Sequence, residues 1–174
     1  MKLTEDQMDY LKEVINIGIG RSASVLNKVV KNRVILKVPV VQIIMIQEME
    51  KRIGWNENLL SIVSMDFKGD LAGKVALVFP SPSAVKMVDL LPDKPSPKLE
   101  MAQLRTGTLN EVGNIVLNSL IGTLGNLLKT RFRFSIPRFR ELATNEVTGL
   151  FSSMSDSFIL AETQFHVRDV DING

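Results

Sequence analysis

An α+β fold with a pseudo-two-fold internal repeat is what three features of this 174-residue sequence predict. Two segments carry apolar residues at spacings of three and four, the period of a helix with one buried face. Each is followed by runs rich in Val, Ile and Phe, which suit pleated strands. Moved by 98 positions, the chain also falls back on itself from residue 11 to residue 39 without a gap. Leu11 lands on Leu109, Glu13 on Glu111, Val14 on Val112, Asn16 on Asn114, Ile17 on Ile115, Leu26 on Leu124, Lys31 on Lys129, Arg33 on Arg131 and Pro39 on Pro137. Two copies of a helix plus three strands, neither able to bury a core alone, predict one domain over 1–174 with halves 1–95 and 96–174. The expected architecture is a six-stranded, mainly antiparallel sheet with two long helices packed on it.

The elements follow in order. Thr4 and Gln7 have the form of a capping box, and Met8, Leu11, Val14, Ile15, Gly18, Ser22, Val25 and Leu26 continue a helix to about Val30. Arg33 to Gln47 reads as a strand in which Pro39 marks an edge or a bulge. Trp55 to Asn58 reads as a polar loop. Leu59 to Phe67 and Lys74 to Phe79 form strands around Lys68–Gly73, whose glycines permit the positive φ of a hairpin connection. Ser83 to Leu91 has helical spacing and stops at Pro92. Pro92–Lys98 is a proline-rich connector, and within it Ser96 as N-cap with Pro97 at the first helical position opens a second long helix, Leu99 to about Lys129. Its Gly107, Gly113, Gly122 and Gly125 predict close packing against the helix. Arg131 to Phe139, Val147 to Ser153 and Phe158 to Val167 read as three further strands.

Composition narrows the chemistry. With 45% hydrophobic and 23% charged residues the chain can bury a core, and 21 Lys+Arg against 19 Asp+Glu gives a net charge of only +2. The absence of cysteine removes disulfides, thiolate zinc sites and Cys nucleophiles, and His166 is the sole histidine. No segment approaches the roughly 20 apolar residues of a membrane-spanning helix, and the start lacks the order of a secretory signal. A cytoplasmic protein without membrane insertion is expected.

One constellation can carry chemistry. Glu13 with Asn16 and Glu111 with Asn114 are the only places where Asn follows Glu by three residues. Ten Glu and eleven Asn in 174 positions give about 0.6 such pairs by chance, and both pairs fall at the same place in the repeat. On a helix, residues three apart are neighbours on one face, so each pair sets a carboxylate beside a carboxamide on a rigid support. A carboxamide donates and accepts but hardly acts as a base, so it can aim a water without taking its proton. That suffices for an acyl phosphate, whose loose transition state is served mainly by positioning and electrostatics, while the Glu is free to pair with a cation on a protein substrate.

At these residues the sequence resembles the CheC/CheX family of response-regulator phosphatases of bacterial chemotaxis. The resemblance rests on Glu13-Val14-Ile15-Asn16-Ile17-Gly18-Ile19-Gly20 followed by small residues and Leu26, on Asp66 through Gly73 before a strand, and on Glu111-Val112-Gly113-Asn114. Keeping both pairs resembles the CheC type, whereas the CheX type is expected to keep only the second. The resemblance implies that Asn16 and Asn114 orient water on the aspartyl phosphate of a CheY-like response regulator, while Glu13 and Glu111 engage the regulator's lysine. It also implies a Mg2+ ion held by the regulator, no cofactor in this chain, and a CheD-like receptor deamidase as a second partner. Arg21 stands where the family often has Asn, and Val116 and Asn118 stand where the first copy has Gly18 and Gly20. The related flagellar switch proteins share the fold, so a non-catalytic adaptor that binds the regulator is the rival reading.

Other features read more plainly. Arg131, Phe132, Arg133, Phe134, Arg138 and Phe139 have the composition of a single-strand nucleic-acid binder. Strand alternation instead predicts Phe132, Phe134 and Ile136 in the core and the arginines in solvent, so no nucleic-acid partner is expected. Gly18-Ile19-Gly20 lies inside a helical pattern with no preceding strand, which is wrong for a phosphate loop. His166 lacks partners for a catalytic triad.

Overall fold

The computed structural model describes residues 3–30, 33–52, 59–89, 101–151, 156–167 and 170–173. The Trp55–Asn58 loop, the Pro92–Lys98 connector and the Ser96–Pro97 helix start lie outside them. In chain order the elements are α1 (Glu5–Val30), β1 (Val34–Met45), α2 (Ile46–Arg52), β2 (Leu59–Lys68), β3 (Ala72–Pro80), α3 (Ser81–Asp89), α4 (Met101–Leu127), β4 (Arg133–Phe134) and β5 (Arg138–Ala143). A single 3-10 turn (Thr144–Glu146), α5 (Val147–Phe151), β6 (Ser157–Val167) and β7 (Val170–Asn173) complete the chain. The α+β class and the antiparallel pairing are as predicted.

The sheet differs from the single six-stranded one expected. Among the described residues seven strands form two sheets, one ordered β1-β6-β7 and the other β3-β2-β4 with β5 also on β2. Each half's first strand is interrupted at its proline, which has no N–H to give a ladder. Pro39 lies in a register shift of β1 between Lys37 and Val40, and Pro137 separates β4 from β5. Among the described residues no ladder joins the two sheets. Pairing between the halves is reciprocal: β1 lies on β6, and β5 lies on β2.

Two cores explain the layering. In the larger, Ile15, Ile19 and Leu26 of α1 and Leu109, Val112, Val116, Leu117 and Ile121 of α4 pack on Val63, Met65, Leu77, Phe79, Phe165 and Val167. Each such side chain contributes roughly 2 kcal/mol relative to exposure. The smaller core holds Ile44, Met49, Leu60, Ile62, Val147 and Phe151. Strand β2 feeds both because successive side chains alternate faces, which is why Leu60, Ile62, Val63 and Met65 are all at most 1% exposed.

Local chemistry sets the helix ends. The capping box at Thr4 is present, with Gln7 N donating to Thr4 Oγ1 (3.3 Å) and Thr4 N to Gln7 Oε1 (3.0 Å). At the far end of α4, Lys129 N donates to Asn126 O and Thr130 N to Gly125 O, a Schellman closure with Lys129 at φ 53°.

Several expectations are corrected. The run from Val147 is helical, because Val147 and Phe151 bury one face a helical turn apart and Glu146 Oε2 accepts from Ala143 N (2.8 Å) to start it. The pattern Arg131 to Phe139 is not one strand. Ser135 bonds to Asp66 through both its backbone N–H and its hydroxyl, and the chain then leaves the ladder at Pro137. Phe132 packs against the core as predicted and Phe139 joins it, but Phe134 is 43% and Ile136 83% exposed. Among the described residues no glycine has positive φ. Gly69 and Gly73 are needed for room: a Cβ there would stand 2.4 Å from Arg131 O and 2.7 Å from the Phe67 ring.

Candidate functional site on the two long helices

The inner and outer faces of α1 divide cleanly. Val14, Ile15, Gly18, Ile19 and Ser22 are buried, so Glu13 and Asn16, which fall between them at three-residue spacing, are both exposed. Helix α4 repeats the arrangement: Thr108, Leu109, Val112, Gly113, Val116 and Leu117 are buried, Glu111 is exposed and Asn114 is half-buried. Each predicted pair therefore shares one outer helix face. Among the described residues no hydrogen bond or ion pair joins Glu13 to Asn16, Glu111 to Asn114, or one pair to the other.

The helices that carry the pairs are held together tightly. A Cβ on Gly18 would stand 2.9 Å from the Cα of Leu120, so backbone meets backbone at this crossing. Arg21 crosses from α1 to α4, its Nη1 donating to Thr123 Oγ1 (3.1 Å). Gly113 faces β2, where its missing Cβ would fall 2.5 Å from Val63 Cγ1. These contacts fix the helices on which the carboxamides are mounted.

The two carboxamides differ in surroundings. Asn118 lies one turn beyond Asn114, and its Nδ2 donates to Asn114 Oδ1 (2.5 Å). The corresponding position beyond Asn16 is Gly20, where an added Cβ meets nothing within 4 Å. Asn118 was visible in the sequence as a departure from the first copy. Its i, i+4 spacing to another carboxamide was the signal that it acts on Asn114.

Two clefts lie apart from these faces. One of about 730 Å³ is lined by Asp66–Gly69, Ala72, Gly73 and Arg133–Ser135, and another of about 460 Å³ by Leu3, Met8, Lys12, Val41–Met45 and Ser157. Neither includes any of the four predicted residues. His166 pairs through Nδ1 with Asp171 Oδ1 (2.7 Å) on the β6–β7 hairpin, away from both pairs in sequence and sheet. Among the described residues no group of three His, Asp or Glu is placed to hold a metal, and no helix is long and apolar enough to cross a membrane.

Fold and surface together define an α+β protein with a carboxylate and a carboxamide paired on the outer face of each of two long helices. No protein-family model matches the chain. The chain is similar to the CheY-P phosphatase CheC of Bacillus subtilis (strain 168), with 28% identity over 138 residues. That match covers 78% of this chain and 66% of the relative, a little under two thirds of its length. Among solved structures it is similar to FliY of Thermotoga maritima, with TM-score 0.79 and 19% identity over 99% of this chain and 89% of that one. The CheX–CheY–BeF3–Mg2+ complex from Borrelia burgdorferi also matches, with TM-score 0.55, 16% identity and coverage of 95% and 94%.

Proposed function

We propose that this protein hydrolyses the aspartyl phosphate of a CheY-like response regulator in chemotaxis signalling. The observation that carries the reading is the placement of an exposed Glu with an outward Asn on the same face of each long helix, above a fully buried inner face. Exposed helix faces suit a protein substrate better than a small molecule, which favours a concave site. The similarity to a CheY-P phosphatase supports the same reaction.

In this reading Asn16 or Asn114 holds a water in line with the phosphorus. The water oxygen bonds to phosphorus as the bond to the aspartyl oxygen breaks, the carboxylate leaves with the electron pair, and the water's proton passes to the phosphate formed. Glu13 or Glu111 pairs with the regulator's lysine and sets the approach. The Mg2+ belongs to the regulator and neutralises the phosphoryl oxygens there. The second reading is an adaptor that binds the regulator without hydrolysis; the likeness to FliY and to the CheX–CheY complex is one of fold and is shared by both readings.

The test is the decay of a phosphorylated CheY-like regulator with the wild type, Asn16→Ala, Asn114→Ala and the double variant. Acceleration should be reduced in each single variant and fall by about 100-fold, to near the intrinsic rate, in the double one. A wild type that binds the phosphorylated regulator and leaves its decay unchanged would establish the adaptor instead.

A further inference from the structure

The two copies of the site are chemically unequal at the position one turn past the carboxamide. Helix α4 has Asn118 there, donating to Asn114 Oδ1, with both side chains half-buried. Helix α1 has Gly20, and among the described residues the exposed carboxamide of Asn16 has no hydrogen-bond partner.

The difference bears on how a carboxamide aims a nucleophile. A water that attacks phosphorus turns a lone pair towards it and must give its hydrogens to acceptors. The acceptor on asparagine is Oδ1, with two lone pairs, whereas Nδ2 only donates. A free carboxamide rotates broadly about its last torsion and offers either atom. The bond from Asn118 removes that freedom: it occupies one lone pair of Oδ1 and leaves the other in a fixed direction.

We propose, resting on the phosphatase reading above, that Asn118 is a positioning residue for Asn114. It makes the second site pre-organised, while the first must order Asn16 when the regulator docks. The alternative is an ordinary i, i+4 side-chain pair on a helix, which affects stability and leaves kcat unchanged.

The experiment uses the full chain carrying Asn16→Ala, so that only the second site turns over, and adds Asn118→Leu, a neutral replacement of similar size that cannot donate. Steady-state dephosphorylation of the regulator should show kcat reduced about tenfold with KM changed by less than about twofold. Asn118→Gln, which keeps a donor amide, should recover part of the loss. Circular dichroism melts confirm that each variant is folded. Unchanged kcat in Asn118→Leu, or a raised KM with kcat intact, would overturn the positioning role while leaving the phosphatase reading in place. An inactive Asn16→Ala parent beside an active wild type would also overturn it, since the second site would then not be the prepared one. An inactive wild type would remove the phosphatase reading itself.

Discussion

Gly18 and Gly20 lie two residues apart on α1 and answer to opposite constraints. At Gly18 an added methyl would sit 2.9 Å from the Cα of Leu120, and backbone cannot swing aside as a side-chain tip can. Gly18→Ala should therefore force α1 from α4 and destabilise by about 2 kcal/mol, as overpacking does. At Gly20 the same methyl meets nothing, so Gly20→Ala should stabilise by about 1 kcal/mol through helix propensity alone. Denaturant unfolding of the two variants checks both signs, and equal shifts in one direction would refute the packing account. The glycines of α4 all predict close packing, and at two of the four that expectation fails. Gly18, Gly113 and Gly125 are crowded, whereas Gly107 and Gly122 join Gly20 with empty surroundings. Periodicity tells inward from outward, but it does not tell how close the neighbouring element comes. The Glu13–Asn16 and Glu111–Asn114 spacings were legible for the complementary reason: residues three apart share a face whatever packs on the other side.

The ends of elements were less legible than their middles. The helical and strand periods of α1, β2, β3, α4 and β6 were plain, because long runs repeat their period many times. Helix α5 is five residues long, and Val147, Leu150 and Phe151 fit a strand as easily as a helix until the small core that receives Val147 and Phe151 is known. Helix α2 is likewise only seven residues, and the strand expected over Arg33 to Gln47 takes in its first two while no predicted element covers the rest. The C-terminus of α4 shows an end condition set by backbone geometry. Lys129 occupies the left-handed C′ position of a Schellman motif, with Thr130 N donating to Gly125 O at 3.0 Å. A β-carbon costs about 1 kcal/mol in that conformation, and glycine adopts it freely. Lys129→Gly should raise stability by about 1 kcal/mol, while Lys129→Ala should give no such gain. Thermal melts of the pair separate the backbone effect from loss of the exposed lysine's charge.

Across the whole molecule, stability is shared between the halves rather than held within each. Every residue of β1 that is paired finds its partner on β6, and β2 is flanked by β3 from its own half and by β4 and β5 from the other. The main core likewise takes Ile15, Ile19 and Leu26 from one half and Leu109, Val112 and Val116 from the other. A fragment of residues 1–95 would keep the β2–β3 hairpin and the packing of α1 on β1 but lose the ladder on β1, the strands β4 and β5 beside β2 and the α4 face against which α1 packs. A hairpin and an amphipathic helix without those partners do not persist in water. Each fragment, 1–95 and 96–174, should therefore be largely unfolded alone by circular dichroism, and mixing them should restore native ellipticity together with a single cooperative melt. A cooperative melt from either fragment by itself would contradict this. The same dependence ties the two carboxamide sites together. Helices α1 and α4 pack on one another, so the dephosphorylation proposed above should be missing from each fragment and return on mixing in proportion to recovered structure.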